Sequence, residues 1–471
     1  MYRSLALCLV LAFTLGSPLS AQSPAELSAE LGISEASFKT LFSEPNASAA
    51  PRLAEHNYRL GYVVARFKPE LTQAEVLAAA ALAGAKNAQR LSPLGLFSLQ
   101  TEPTKSATED LLQRVWDLPG TVRVTADYIG SGGYVPNDTF YSSQWHLDQS
   151  GPDIDAPSAW DITRGSSSKV VAIIDSGWNS NHPDFLGGRI FTNAGEVAGD
   201  GIDNDSNGYI DDTQGWDFVG NDSVPNDQHS HGTWVQGVYG ATANNTFAVA
   251  GLDHFSTILP LKILDSSNSG FTSSLINALD YVLLFPEINV VSMSLINFPL
   301  DSFLANSIEA ASQSAMLISC AGNGGANTAD TQYPGAHPAT LSVGSTTSSD
   351  SLASFSSTGS TVDVTAPGDS VVTVNAFSTA NSSSTVDGCS FATPLVAGTA
   401  SLLLDVRPNS DQVDLYYLLR NTSLDLGASG RDDAFGVGRL DVDDLLELAL
   451  ELVYQDDFET GDVDRWSSTS P

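Results

Sequence analysis

From about residue 134 onward, short runs that are apolar at nearly every position alternate with segments whose apolar residues recur every three or four positions. The first kind, at 169–174, 258–264, 289–295, 316–321 and 340–344, predicts strands; the second, at 231–241, 272–285, 301–314, 390–405 and 410–421, predicts helices. A strand with no polar face is covered on both sides. Its alternation with helices therefore predicts an α/β fold, a mainly parallel sheet with helices on both faces. Upstream the rhythm differs. Strands are expected at 62–67, 94–99 and 121–126, with helices at 72–83 and 107–117, which makes a small α+β unit over 58–128. The stretch Gly130-Ser131-Gly132-Gly133 reads as a flexible joint between the two patterns. Beyond a Leu-rich helix at 442–452, an acidic tail covers 453–471.

The first 21 residues stand apart. Arg3, an apolar core from Leu5 to Leu15 and small residues up to Ala21 predict a secretory signal cleaved after Ala21. That core is shorter than the roughly 20 residues a membrane span needs, and no other stretch reads as one, so a secreted, extracellular protein without membrane association is expected. The chain has 471 residues with 20 basic against 55 acidic side chains, a net charge of −35. Such a field disfavours nucleic acid and anionic membranes as partners and suits cations, basic peptides or simple solubility as a monomer.

Three short motifs carry chemistry. Asp175 ends the run Val170-Val171-Ala172-Ile173-Ile174 and is followed by Ser176-Gly177; His231 opens His231-Gly232-Thr233-Trp234-Val235-Gln236-Gly237; Ser390 lies in Asp387-Gly388-Cys389-Ser390-Phe391-Ala392-Thr393-Pro394 ahead of an apolar helix. An orienting acid, a base and a nucleophile are thus available in the chain order Asp, His, Ser. An α/β-hydrolase would place the serine first and need glycine at position 392, which is Ala. Met316-Leu317-Ile318-Ser319-Cys320-Ala321-Gly322-Asn323 is a fourth motif, an apolar strand running into a Gly-flanked Asn. Taken alone, that Asn-Gly would be a turn.

Together the motifs, spread over about 134–446, resemble those of the subtilisin-like serine proteases. The resemblance implies a serine endopeptidase acting on protein or peptide substrates, with Asp175, His231 and Ser390 as the triad and Asn323 as side-chain oxyanion donor. It further implies that substrate lies extended along Ser294-Leu295-Ile296, facing a pocket wall at Ala321-Gly322, and that residues 22–133 form a propeptide whose α+β prodomain inhibits the enzyme until it cleaves itself. Ile296 stands where the family usually has Gly, which narrows the expected pocket toward small or medium apolar residues. Trp234, Gln236, Cys389, Phe391 and Leu395 also depart from the family pattern; Trp234 and Leu395 are read as an apolar pair replacing a polar one between adjacent helices. Rival readings are an inactive peptide-binding relative, a calcium-dependent structural protein, and a cysteine enzyme using Cys389.

Two further expectations concern cysteine and calcium. Once Cys8 leaves with the signal, only Cys320 and Cys389 remain, each beside the proposed site; they read either as small buried residues or as an export-permitted disulfide. Asp200 to Asp212 repeats oxygen donors at alternate positions around a glycine, like an abbreviated calcium loop, with Asp203, Asp205, Asn207, Tyr209, Asp211 and Asp212 as ligands and Gln214 in place of the closing Glu. Calcium sites that tie down surface loops are common among the relatives, whereas the same composition without an ion is a turn-rich loop.

Overall fold

The computed structural model describes residues 58–459 apart from 69–70, 92–95, 119, 129–133, 150, 186–187 and 327–331. The expected signal at 1–21, the stretch 22–57, the glycine-rich joint at 130–133 and the end of the acidic tail lie outside the described residues.

Two compact units are present. The smaller runs β1 (Tyr58–Phe67), α1 (Gln73–Leu82), β2 (Asn87–Arg90), β3 (Leu96–Gln100), α2 (Lys105–Trp116) and β4 (Thr121–Tyr128). Among the described residues its strands form an antiparallel sheet ordered β2-β3-β1-β4, the βαββαβ plan of ferredoxin-like units. Thr72 starts α1 because its hydroxyl accepts the Glu75 N–H while the Glu75 carboxylate accepts the Thr72 N–H, a reciprocal cap. Val63, Ala65, Phe67 and Leu99 alternate onto the face that packs against Leu111, Leu112 and Val115 of α2. The sequence pattern misses β2 because Asn-Ala-Gln-Arg is polar and mostly exposed.

The larger unit contains α3 (Ala156–Ile162), β5 (Val170–Asp175), β6 (Trp216–Asp217), α4 (His231–Gly240), β7 (Thr257–Lys262), α5 (Thr272–Val282), β8 (Ile288–Met293) and α6 (Ser302–Ser312). It continues through β9 (Met316–Cys320), β10 (Leu341–Thr346), β11 (Val364–Pro367), β12 (Val371–Val374), β13 (Ser383–Val386), α7 (Cys389–Val406), α8 (Gln412–Thr422) and the start of α9 (Val442–Glu459). Seven parallel strands, counted among the described residues, lie in the order β11-β10-β9-β8-β5-β7-β6. Successive strand residues point to opposite layers: Val171, Ile173, Val290 and Ile318 join α4, α7 and α8, whereas Ala172, Ile174, Val291 and Leu317 join α5 and α6. Both faces are thus covered, which is why these strands have no polar side.

From β5 the chain goes to β6 at the sheet edge, returns through β7 beside β5, then crosses to β8 on the other side. Side chains at the carboxyl ends of β5, β8 and β9 therefore converge at a switch point, where open α/β sheets place their sites. Helix α7 is long and apolar enough to cross a membrane, but 89% of it is buried, as befits the central helix of a core. Helix α9 runs seven residues past 452, into the stretch expected to be a tail, because no Gly or Pro interrupts it before Gly461.

Candidate active site

Asp175 is the last residue of β5 and is 1% exposed. One carboxylate oxygen, Oδ1, accepts the Ser176 N–H at 2.7 Å and faces His231 Nδ1 at 2.7 Å. An ionised carboxylate only accepts, so Nδ1 carries the proton and Nε2 is left as the basic nitrogen. The contact depends on glycine. A Cβ on Gly232, the second residue of α4, would lie 2.2 Å from the Gly177 carbonyl oxygen, so only glycine lets the helix start this close to the strand end.

The start of α4 is held by a residue the sequence reading missed. The Asp227 carboxylate accepts the N–H groups of His229, Ser230 and Thr233 and the hydroxyls of Ser176 and Thr233, at 2.6–3.0 Å. It thereby fastens the residue after β5 to the first turn of α4, and holds Ser230 at φ +97°, a left-handed conformation that is costly for a side chain with a Cβ. Burial lowers the proton affinity of His231, but the adjacent Asp175 charge, its hydrogen bond and the Asp227 charge outweigh that and raise the imidazole above its usual value of 6.5. An Asp just ahead of a helix start is the signal that could have found Asp227.

Ser390 is the second residue of α7 and is 6% exposed. Helices α4 and α7 pack side by side through Val235, Val238, Tyr239, Leu395 and Val396, which brings the His231 and Ser390 ends together. The Phe391 ring lies 5.8 Å from the His231 ring. The Ser390 carbonyl accepts the Ser294 hydroxyl at 2.7 Å, tying α7 to the chain just past β8.

Asn323 lies three residues past the end of β9, and its Oδ1 accepts the Cys389 N–H at 2.9 Å. Because a backbone N–H must find an oxygen, the amide is oriented and its Nδ2 is free to donate elsewhere. A methyl built on Gly388 would lie 3.5 Å from that Nδ2 and 3.6 Å from the Ser390 nitrogen. Two N–H donors and the positive end of α7 therefore flank one spot beside the serine, as stabilisation of an oxyanion requires. Gly388, at φ +146°, leaves that spot open. Cys320 and Cys389 form a disulfide with their Cα atoms 5.2 Å apart, so the bridged alternative is the one observed.

Ser294, Leu295 and Ile296 follow the end of β8 and have no strand partner among the described residues. The Leu295 side chain turns into the core, and Ile296 is half-exposed. Ala321 and Gly322 are buried at the end of β9, with the Gly322 N–H donating to Cys389 Sγ at 3.3 Å. Trp234 and Leu395 belong to one apolar cluster. Nothing in the structure explains Gln236, which is buried without a partner for its Nε2.

The acidic loop brings Asp203 and Asp205 of the expected ligand run together. Carboxylate atoms of Glu196, Asp203 and Asp205 lie within 4.8 Å of one another, and Glu196 was not in the sequence-based set. The Asp211 carboxylate accepts the Asp200 and Gly201 N–H groups, as Glu196, Asp203 and Asp205 accept other N–H groups of the loop, while buried Asp212 accepts from Tyr281 Oη and from the amides of Asn193 and Asn207. Asn207 donates its amide to Asp205 as well, and the Tyr209 ring packs against Trp216 and Tyr281. Three carboxylates are a hard, all-oxygen donor set, which suits calcium rather than a softer metal.

Comparison with known proteins agrees with this geometry. The subtilase family model matches residues 166–438. Thermitase of Thermoactinomyces vulgaris is 39% identical over 57% of this chain and 85% of its own. The subtilisin of Bacillus pumilus is 33% identical over 59% of this chain and 91% of its own. Among solved structures, a protease from Pseudoalteromonas arctica superposes with a TM-score of 0.55 at 25% identity, covering 67% of this chain and all of that one. The seven-stranded sheet, the Asp-His contact at its carboxyl edge and a match spanning more than half of the chain together make it a member of the subtilase family, a serine-type endopeptidase.

Proposed function

We propose that this chain is a secreted endopeptidase, made as a precursor that cuts itself, in which Ser390, His231 and Asp175 act as the triad. The observation that carries the reading is the 2.7 Å contact between Asp175 and His231 Nδ1, which leaves Nε2 as base at the helix start that packs beside Ser390. His231 takes the hydroxyl proton as Ser390 Oγ attacks the scissile carbonyl, then gives it to the leaving amine, while Asp175 holds the imidazole in the useful tautomer. Asn323 Nδ2 and the Ser390 N–H receive the developing oxyanion. Substrate backbone lies along residues 294–296, and Ile296 with the Ala321-Gly322 wall favours small or medium apolar residues before the cut.

The signal-like first 21 residues support export, and the position of the βαββαβ unit ahead of the peptidase supports its role as an inhibitory prodomain. Glu196, Asp203 and Asp205, which make no ion pair with a basic side chain among the described residues, would hold calcium as their counter-ion. Intact mass of the purified protein tests self-processing. Wild type should lose its N-terminal segment through about residue 133, and Ser390→Ala should keep it; equal trimming of both would assign the cut to another protease.

A further inference from the structure

We propose that the Cys320–Cys389 disulfide is a positioning element of the reaction, a clamp that fixes the oxyanion donor Asn323 and the pocket wall against the nucleophile helix. The inference rests on the serine-protease reading of the same site. Cys389 directly precedes Ser390 and meets the β9 exit three times: through the bridge to Cys320, through its Sγ accepting the Gly322 N–H at 3.3 Å, and through its own N–H donating to Asn323 Oδ1 at 2.9 Å. All three contacts fall within the four residues 320–323, which hold Ala321, Gly322 and Asn323. No part of the clamp is a surface staple, since both cysteines are 0% exposed.

The sequence separation of the bridge is 69, so it joins two segments that, among the described residues, otherwise meet through packing and the two hydrogen bonds above. An oxyanion hole works because its donors do not move as charge develops; the stabilisation is lost if the donors must be reorganised at that moment. Asn323 sits on the loop that leaves β9, and Ser390 on α7, so their relative position is not set by either element alone. The covalent link fixes it. The bridge should therefore contribute to the chemical step more than to substrate affinity, and its formation makes an oxidising folding environment part of what gives an active site.

The test is a double-mutant cycle of the bridge against Asn323. In processed enzyme, Cys320→Ala/Cys389→Thr should lower kcat about 10- to 100-fold, the scale of an ångström-sized misplacement, with KM within about 3-fold of wild type. In the Asn323→Ala background the same pair should cost far less, because the group it positions is gone. Should the pair not fold, Cys320→Ala alone leaves the Cys389 backbone contacts in place and carries the same cycle. Unchanged kcat in a folded, unbridged enzyme would overturn the proposal. So would an equal loss in both backgrounds, which would make the bridge merely structural. Wild type inactive toward any peptide would instead reject the underlying protease reading.

Discussion

At His231 burial opposes the hydrogen-bonded Asp175 carboxylate and the Asp227 charge, and their balance decides the pH at which the proposed base is available. Burial disfavours the imidazolium, whereas the Asp175 carboxylate and the more distant Asp227 charge favour it and prevail. A proton affinity raised in the folded state adds stability that is complete below the ordinary value of 6.5 and is lost as pH rises through the raised value. Activity has the opposite sense, because the base must be neutral. The acidic limb of kcat/KM should therefore lie above pH 6.5, and Asp227→Asn should move its midpoint downward by removing one favourable charge. A midpoint unchanged or raised in Asp227→Asn would contradict this electrostatic account. Asp175, His231, Asn323 and Ser390 could all be named from local motifs, Asp175 and Asn323 because they follow apolar runs, His231 and Ser390 because they open helical ones. Asp227 and Glu196 could not, because their roles depend on which backbone amides and carboxylates the fold brings to them.

At the level of elements, strand and helix existence was legible because the larger unit's strands are apolar throughout and its helices periodic. The expected strand at 169–174 is β5 at Val170–Asp175, and the expected helix at 390–405 is α7 at Cys389–Val406. What was missed is short or polar: β6 is two residues, the apolar β11 and β12 are four each, α3 is two turns, and β13 is Ser-Ser-Thr-Val, which lacks an apolar run. The start of α7 shows how an element makes chemistry. Its first turn presents the Ser390 N–H, and Gly388 ahead of it keeps space where Asn323 Nδ2 also points. Gly388→Ala should crowd both donors and strain a backbone at φ +146°, lowering kcat by about 10-fold or more while KM changes little. A kcat equal to wild type in that variant would show the space is not used by the reaction.

Across the whole molecule, a net charge of −35 opposes compaction, and the acidic loop at 196–212 concentrates part of that cost. Calcium at a hundred-fold excess over its Kd should raise the melting temperature by about 5 °C, and Asp203→Asn/Asp205→Asn should abolish the rise. Identical melting in calcium and in chelator would remove the cation from the account. The α/β architecture was readable because burial on two faces leaves a compositional trace along every strand; the pairing order of those strands leaves none. The central claim, that Ser390 is the nucleophile and His231 its base, is tested most directly by a fluorophosphonate probe with peptide mapping of the adduct. One phosphonyl group on Ser390 in wild type, and labelling lost in His231→Ala, is the predicted result. A folded wild-type enzyme that hydrolyses peptides yet carries no label on Ser390 would contradict it.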